Sequence, residues 1–197
     1  MAEREKERER TAIVLLVDGS EEMEAVITVD VLRRAGVAVT IAGVWDGSCV
    51  KCSRNVKICT DAMFTDAVDK NYDIVVLPGG LNGSKAFASS VEVGELLQKQ
   101  DKENKLIAAI CAAPTALKTH NIGKGKRITS YPSLKNDLCN YYEYSDETVV
   151  IDGNLITSRG PATAFDFSLA IVETLLGKEK AQTVAKGLLY ENYKSYT

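Results

Sequence analysis

Residues 106–117 read Leu-Ile-Ala-Ala-Ile-Cys-Ala-Ala-Pro-Thr-Ala-Leu. An apolar run of strand length passes through one cysteine and turns at once into a helical pattern with Pro114 in its first turn. A side chain on such a strand-to-helix turn stands exposed at the carboxyl end of a sheet, the arrangement of a nucleophile elbow. Small neighbours allow the sharp bend, and Ala109, Ala112 and Ala113 flank Cys111. The helix start would aim free N–H groups and a positive dipole end at the sulfur, conditions that lower a thiol pKa and make it reactive. A buried structural cysteine is the alternative, since free cysteine is among the most buried residue types.

Outward from this segment, apolar runs alternate with helical patterns. Residues 12–17 form a buried strand, and Gly19-Ser20 marks a turn. A helix follows over 22–35, with Met23, Val26, Ile27 and Leu32 recurring at helical spacing and Gly36 as its stop. Residues 37–44 are a second β-rich run. Residues 50–60 read as an antiparallel hairpin around Ser53-Arg54-Asn55. A third buried strand, 73–77, ends in Pro78-Gly79-Gly80. Helical patterns cover 84–102, a last strand 155–158, an amphipathic helix 162–176 ended by Gly177, and a further helix 179–185. This alternation predicts an α/β fold: a doubly wound, mostly parallel sheet sandwiched between helices, in a single domain. Such sheets bind ligands at the carboxyl ends of their strands, where the connections diverge. Residues 18–24, 78–80 and 111–114 all fall on loops leaving those ends.

A chain of 197 residues can bury one sizeable core, and 45% hydrophobic with 26% charged residues places it among globular proteins rather than disordered ones. The net charge of −3 provides no attraction for nucleic acid or an anionic membrane. No apolar run approaches the roughly 20 residues of a membrane span. Residues 1–10 alternate Glu with Arg and Lys and read as a charged extension without the apolar segment of a secretory signal. Residues 190–197 form a Tyr-rich tail. Five cysteines at irregular spacing predict a reducing compartment. Cys49-Val-Lys-Cys52 lies in a strand-like stretch rather than at a helix start, which argues against a redox motif there. With one histidine and no second cysteine pair, a metal site is not expected, and Pro78-Gly79-Gly80 is neither a dinucleotide nor a phosphate-binding loop.

Each loop offers chemistry. Gly79-Gly80 presents backbone N–H groups without side chains, and with the N–H of Ala112 they would form an oxyanion hole; a plain tight turn is the alternative. Asp18, Glu21, Glu22 and Glu24 would ordinarily complement the dipole of the first helix. One of them, buried beside Cys111, could shuttle a proton, and periodicity does not choose among the four. The single histidine, His120, sits nine residues past Cys111 on the same expected helix. At about 100° and 1.5 Å per residue it is half a turn out of phase and about 13 Å away. It cannot serve as the base of its own elbow and is expected to be exposed near a helix C-terminus. A carboxyl or Tyr131 must supply acid–base chemistry instead.

Gly-Ser-Glu-Glu-Met-Glu, Val-Asp-Val-Leu-Arg-Arg-Ala-Gly, Cys-Ser-Arg, Val-Val-Leu-Pro-Gly-Gly, Ala-Ala-Ile-Cys-Ala-Ala-Pro-Thr and Thr-Ser-Arg-Gly-Pro occur in that order between residues 11 and 189. Together they resemble the parkinsonism-associated DJ-one family of the PfpI-like superfamily. The resemblance implies a flavodoxin-like domain over 11–189, a homodimer and a redox-sensitive nucleophile at Cys111. It implies that Glu24 is the acid contacting the sulfur and that Gly80 and Ala112 are the backbone donors. Arg34, Arg54 and Pro161 match positions near the pocket or the dimer interface. The implied activity is that of a cofactor-free glyoxalase or deglycase acting on small dicarbonyls or glycated protein groups. Oxidation of Cys111 to a sulfinate in a redox sensor or stress chaperone is the second implied role. A cytoplasmic location with nuclear and mitochondrial pools belongs to the same implication. One departure stands out: where many relatives carry Thr-His-Pro, this chain reads Ser130-Tyr131-Pro132.

Overall fold

The computed structural model describes residues 8–45 and 48–196, so residues 1–7 of the charged extension lie outside the described residues. Strand β1 (Thr11–Leu16) leads into helix α1 (Glu22–Arg34) and strand β2 (Ala38–Gly43). A short hairpin follows, β3 (Cys49–Lys51) and β4 (Lys57–Cys59), then β5 (Ala62–Met63) and the single turn α2 (Phe64–Ala67). Next come β6 (Ile74–Leu77), α3 (Leu81–Ser89) and α4 (Val91–Lys102). Strand β7 (Leu106–Ile110) precedes the short helix α5 (Pro114–Thr119). The small elements β8 (Arg127–Ile128), α6 (Lys135–Leu138) and β9 (Glu143–Tyr144) lead to β10 (Val149–Asp152) and β11 (Leu155–Ser158). Helices α7 (Ala164–Leu176) and α8 (Lys178–Gly187) close the fold.

Seven strands form the main sheet in the order β10-β11-β7-β6-β1-β2-β5, all parallel except for β10. Burial on both faces explains why β1 reads as an unbroken apolar run. Ala12, Val14 and Leu16 enter the core beneath α1, α7 and α8. Ile13, Leu15 and Val17 enter the opposite one with Phe87, Leu97 and Leu117. From β1 the chain proceeds outward to β2, whereas from β6 it proceeds the other way to β7. The crevice between β1 and β6 is therefore the topological switch point, where such sheets bind ligands.

Several elements differ from the sequence-based expectation. The buried face of α1 is Ala25, Thr28, Val29 and Leu32, packed on α7 through a Ser168–Thr28 hydroxyl contact of 3.1 Å. Met23 and Val26 instead point outward, 53% and 52% exposed, although their spacing marked them for the core. The helical stretch after Gly80 is two helices, divided at Ser90, whose hydroxyl caps α4 by accepting from Val93 N–H at 3.2 Å. Strand β10, unexpected from the sequence, joins β11 through the Gly153-Asn154 turn. The Tyr-rich tail packs back over α7, where the hydroxyls of Tyr190 and Tyr193 meet Asp166 and Glu173 at 2.9 and 2.7 Å.

Candidate active site

Cys111 follows β7 directly and adopts φ +63°, the left-handed conformation that a side chain normally avoids. A non-glycine residue held this way costs of order 1–3 kcal/mol and persists only when its surroundings dictate it. Two backbone bonds do so here. Cys111 N–H donates to the Ser158 carbonyl at 3.0 Å, and Tyr131 N–H donates to the Cys111 carbonyl at 2.8 Å. The elbow is thus clamped between β11 and the loop carrying Tyr131.

The end of β6 comes equally close. A Cβ on Gly79 would lie 2.6 Å from that of Cys111 and 2.8 Å from Glu24 Oε2. At Gly80, φ is +86° and a Cβ would fall 2.1 Å from the Gly19 carbonyl oxygen. Only glycine fits at this meeting of two strand ends. The backbone N–H groups of Gly80 and Ala112 are directed toward the Cys111 sulfur and favour its anion.

Glu24, in the first turn of α1, is wholly buried. Its Oε2 accepts from Gly79 N–H at 2.6 Å, and Oε1, also buried, has no hydrogen-bond partner. The Cys111 thiol adjoins the carboxyl and favours its ionised form. Burial pushes its pKa up to about 7, against the lowering effects of Gly79 N–H and the thiol. The other three acids of that loop are used differently. Asp18 accepts from Lys51 N–H at 2.8 Å. The Ser53 hydroxyl lies 2.6 Å from Glu21 Oε2 and 2.9 Å from Glu22 Oε2, and Arg54 N–H donates to Glu22 Oε1 at 2.9 Å. These bonds tie the β3–β4 turn to the start of α1.

The expectation of a depressed thiol pKa is corrected by this geometry. Burial and the negative charge of Glu24 push Cys111 up to about 12, outweighing the Gly80 and Ala112 donors. The helix that was to supply the opposing dipole has only six residues, and Cys111 stands three residues before it. His120 is corrected as well. It ends α5 half-buried rather than exposed, with Nε2 2.8 Å from the Phe87 carbonyl and its ring against Gly94. It does not line the pocket over Cys111.

That pocket has a volume of about 360 Å³ and is bordered by Cys111, Gly80, Ala112, Arg54, Tyr131 and Pro161. Glu24, fully buried, does not itself line it. Arg34 does not belong to it: half-exposed at the end of α1, it pairs with Asp30 at 3.0 Å. Glu21 and Ser53 also line it, and Leu81, Ser133 and Leu134 complete the lining without having been singled out from the sequence. Each adjoins a motif that was, and their only signal was that adjacency. Among the described residues, no group of three or more His, Cys, Asp or Glu side chains is placed to hold a metal ion.

The profile of the DJ-1/PfpI family matches residues 10–174. The chain belongs to the DJ-1/PfpI family. It is 56% identical over 181 residues to the Drosophila melanogaster protein dj-1beta, covering 91% of this chain and 97% of the fly protein. The crystal structure of Drosophila DJ-1beta superposes with a TM-score of 0.91 over 92% of this chain and 98% of that one, at 56% identity. A Caenorhabditis elegans relative, named glutathione-independent glyoxalase DJR-1.2, is 42% identical over 182 residues, 91% of this chain and 96% of its own. The flavodoxin-like sandwich implied by the motifs is the fold of this DJ-1/PfpI protein.

Proposed function

We propose that this protein is a glyoxalase or deglycase that converts methylglyoxal and glyoxal, or their early adducts on protein groups, without a cofactor. The observation that carries this reading is the pairing of a thiol with a carboxyl whose pKa is about 7. A general base works best with a pKa near the working pH. As the sulfur adds to the aldehyde carbon, Glu24 takes the thiol proton, so no standing thiolate is needed. The oxyanion of the resulting hemithioacetal is met by Gly80 and Ala112 N–H groups. Glu24 returns that proton to the oxyanion and then carries a proton from the former aldehyde carbon to its neighbour, while the hemithioacetal hydroxyl proton passes to the neighbour's oxygen, leaving a 2-hydroxyacyl thioester on Cys111. Water cleaves that thioester, releasing the 2-hydroxy acid and restoring the thiol. The DJR-1.2 relationship supports this activity class.

Lactate formation from methylglyoxal, followed by NMR, tests the proposal. Wild type should turn over saturably, and Cys111→Ser should lose turnover. Undiminished activity in Cys111→Ser would overturn the reading.

A second reading is favoured by the same two backbone donors at the sulfur. Oxidised to a sulfinate, Cys111 would keep those donors, and a protonated Glu24 would donate to a sulfinate oxygen. The protein would then act as a redox sensor or stress chaperone. Peroxide-dependent partner binding without turnover is its signature. A homodimer is part of the proposal, resting on the outward apolar side chains of α1, and so is a cytoplasmic location with nuclear and mitochondrial pools. No helix of the described residues is long and apolar enough to cross a membrane.

A further inference from the structure

Cys49 and Cys59 face each other across the β3–β4 hairpin, with their sulfurs 2.7 Å apart and both side chains exposed. The register explains the approach. Thr60 N–H donates to the Ser48 carbonyl and Cys52 N–H to the Val56 carbonyl, so the Cys49–Cys59 pair falls on a non-hydrogen-bonded rung. On such rungs Cα atoms are about 4.5 Å apart, within the roughly 4.4–6.8 Å that a disulfide spans. Strand periodicity also settles the Cys49-Val-Lys-Cys52 motif. Cys49 stands on the exposed side of β3, whereas Cys52 is buried on the other with Val50, so the two residues of that motif cannot close on each other.

We propose that Cys49 and Cys59 are a second redox site, a dithiol that a hydroperoxide closes into an intramolecular disulfide and that free thiols reopen. One sulfur attacks the peroxide oxygen; the O–O bond breaks, and a sulfenic acid and an alcohol (water, from hydrogen peroxide) form. The second sulfur attacks the first; its thiol proton leaves with the hydroxyl as water, and the S–S bond closes. Two electrons pass from the sulfurs to the peroxide. Any exposed thiol reverses the step by exchange.

The bridge would close a ring around Ser53 and Arg54, which form one wall of the Cys111 pocket. The hairpin is already tied there, through Gly19 N–H to the Lys51 carbonyl at 2.9 Å and Ser53 N–H to the Ser20 carbonyl at 2.8 Å. Closing the ring would restrict opening of that wall. This site does not depend on what reaction Cys111 carries out.

The test is full-length protein treated with substoichiometric hydrogen peroxide, blocked with N-ethylmaleimide and analysed by intact mass and peptide mapping. A single chain carrying two fewer N-ethylmaleimide groups than the reduced protein, with Cys49 and Cys59 peptides joined, is expected in wild type and equally in Cys111→Ser. Dithiothreitol should reverse it, and Cys49→Ser should abolish it. Trypsin cleavage after Lys51, Arg54 and Lys57 should slow several-fold in the oxidised form and not in oxidised Cys49→Ser. A bridge between two chains, a bridge involving Cys52, or oxyacids on Cys49 and Cys59 without a bridge would each overturn the proposal.

Discussion

The Cys111 thiol beside the Glu24 carboxyl lowers its pKa, while the Glu24 charge raises that of Cys111, so a proton between them favours sulfur. Burial dominates both shifts and disfavours a negative charge on either group. The pair carries one negative charge above about pH 7, on oxygen. The reactive form is then a thiol with a base at hand.

The pH dependence follows. Glu24 must be ionised to accept the thiol proton, and its pKa is about 7. The kcat/KM for methylglyoxal should therefore rise about tenfold per pH unit below about pH 7 and level off above it. Glu24→Gln should lose about 10²–10⁴-fold at pH 8 and flatten the profile. A Gln variant with the wild-type profile would show that another group is the base.

Stability should run the opposite way. Folding raises Glu24 from 4.5 to about 7, so between those values the folded chain binds more protons than the unfolded one. Its contribution to stability is complete below about 4.5 and is lost as pH rises through about 7. Glu24→Gln removes that loss. Relative to the variant, wild type should fall by about 3 kcal/mol between pH 4.5 and pH 8 in urea titrations. Parallel curves for the two proteins would contradict the buried placement of this carboxyl.

Much of this architecture was legible in the sequence because buried parallel strands leave continuous apolar runs. Residues 12–17, 73–77 and 106–110 showed themselves in that way, and their loops located the site. The outward turn of Met23 and Val26 was not legible, since apolar spacing does not distinguish a core from a surface awaiting a partner. Nor was the thiol pKa. The elbow was readable from Ala112, Ala113 and Pro114, but the burial and the Glu24 charge that oppose ionisation come from the assembled fold and a residue distant in sequence. The small strands β5, β8 and β9 have two residues each, too few to show a period.

Gly80→Ala tests the close approach at the pocket floor. Its Cβ would need to pass 2.1 Å from the Gly19 carbonyl oxygen at a φ of +86°. Backbone on both sides leaves no flexible side chain to yield. A loss of roughly 2–4 kcal/mol in urea unfolding is expected, together with loss of turnover. Gly187→Ala, with nothing within 4 Å of its added carbon, should be neutral and serves as the control.

The outward face of α1 predicts the dimer. Val26 borders an apolar cavity of about 250 Å³ with Val29, Ile41 and Ile58, rimmed by Asp30 and Arg33. Val26 and Met23 stand exposed beside this cavity, and exposed apolar surface of this kind marks interaction sites. Sedimentation at micromolar concentration should give twice the chain mass, and Val26→Asp should shift the equilibrium to monomer without unfolding it. A monomeric wild type would remove the proposed interface.

The remaining question is what imidazole would add. His120 is committed to the Phe87 carbonyl and packs on Gly94, so His120→Ala should cost about 1 kcal/mol of stability. Its glyoxalase activity should stay within a few-fold of wild type. Tyr131 is different: its backbone N–H clamps the Cys111 carbonyl, and its side chain borders the pocket. Tyr131→His keeps the clamp and brings imidazole to the pocket edge. General acid–base assistance is typically worth about 10²–10⁴-fold where it operates. With Glu24 as the proposed base, no such rise is expected, and Cys111 with Glu24 would carry the chemistry alone. A rise of that size would instead mean that the tyrosine has weakened an enzyme whose main role is redox sensing at Cys111. Loss of activity in His120→Ala would contradict the placement of α5 and of the elbow before it.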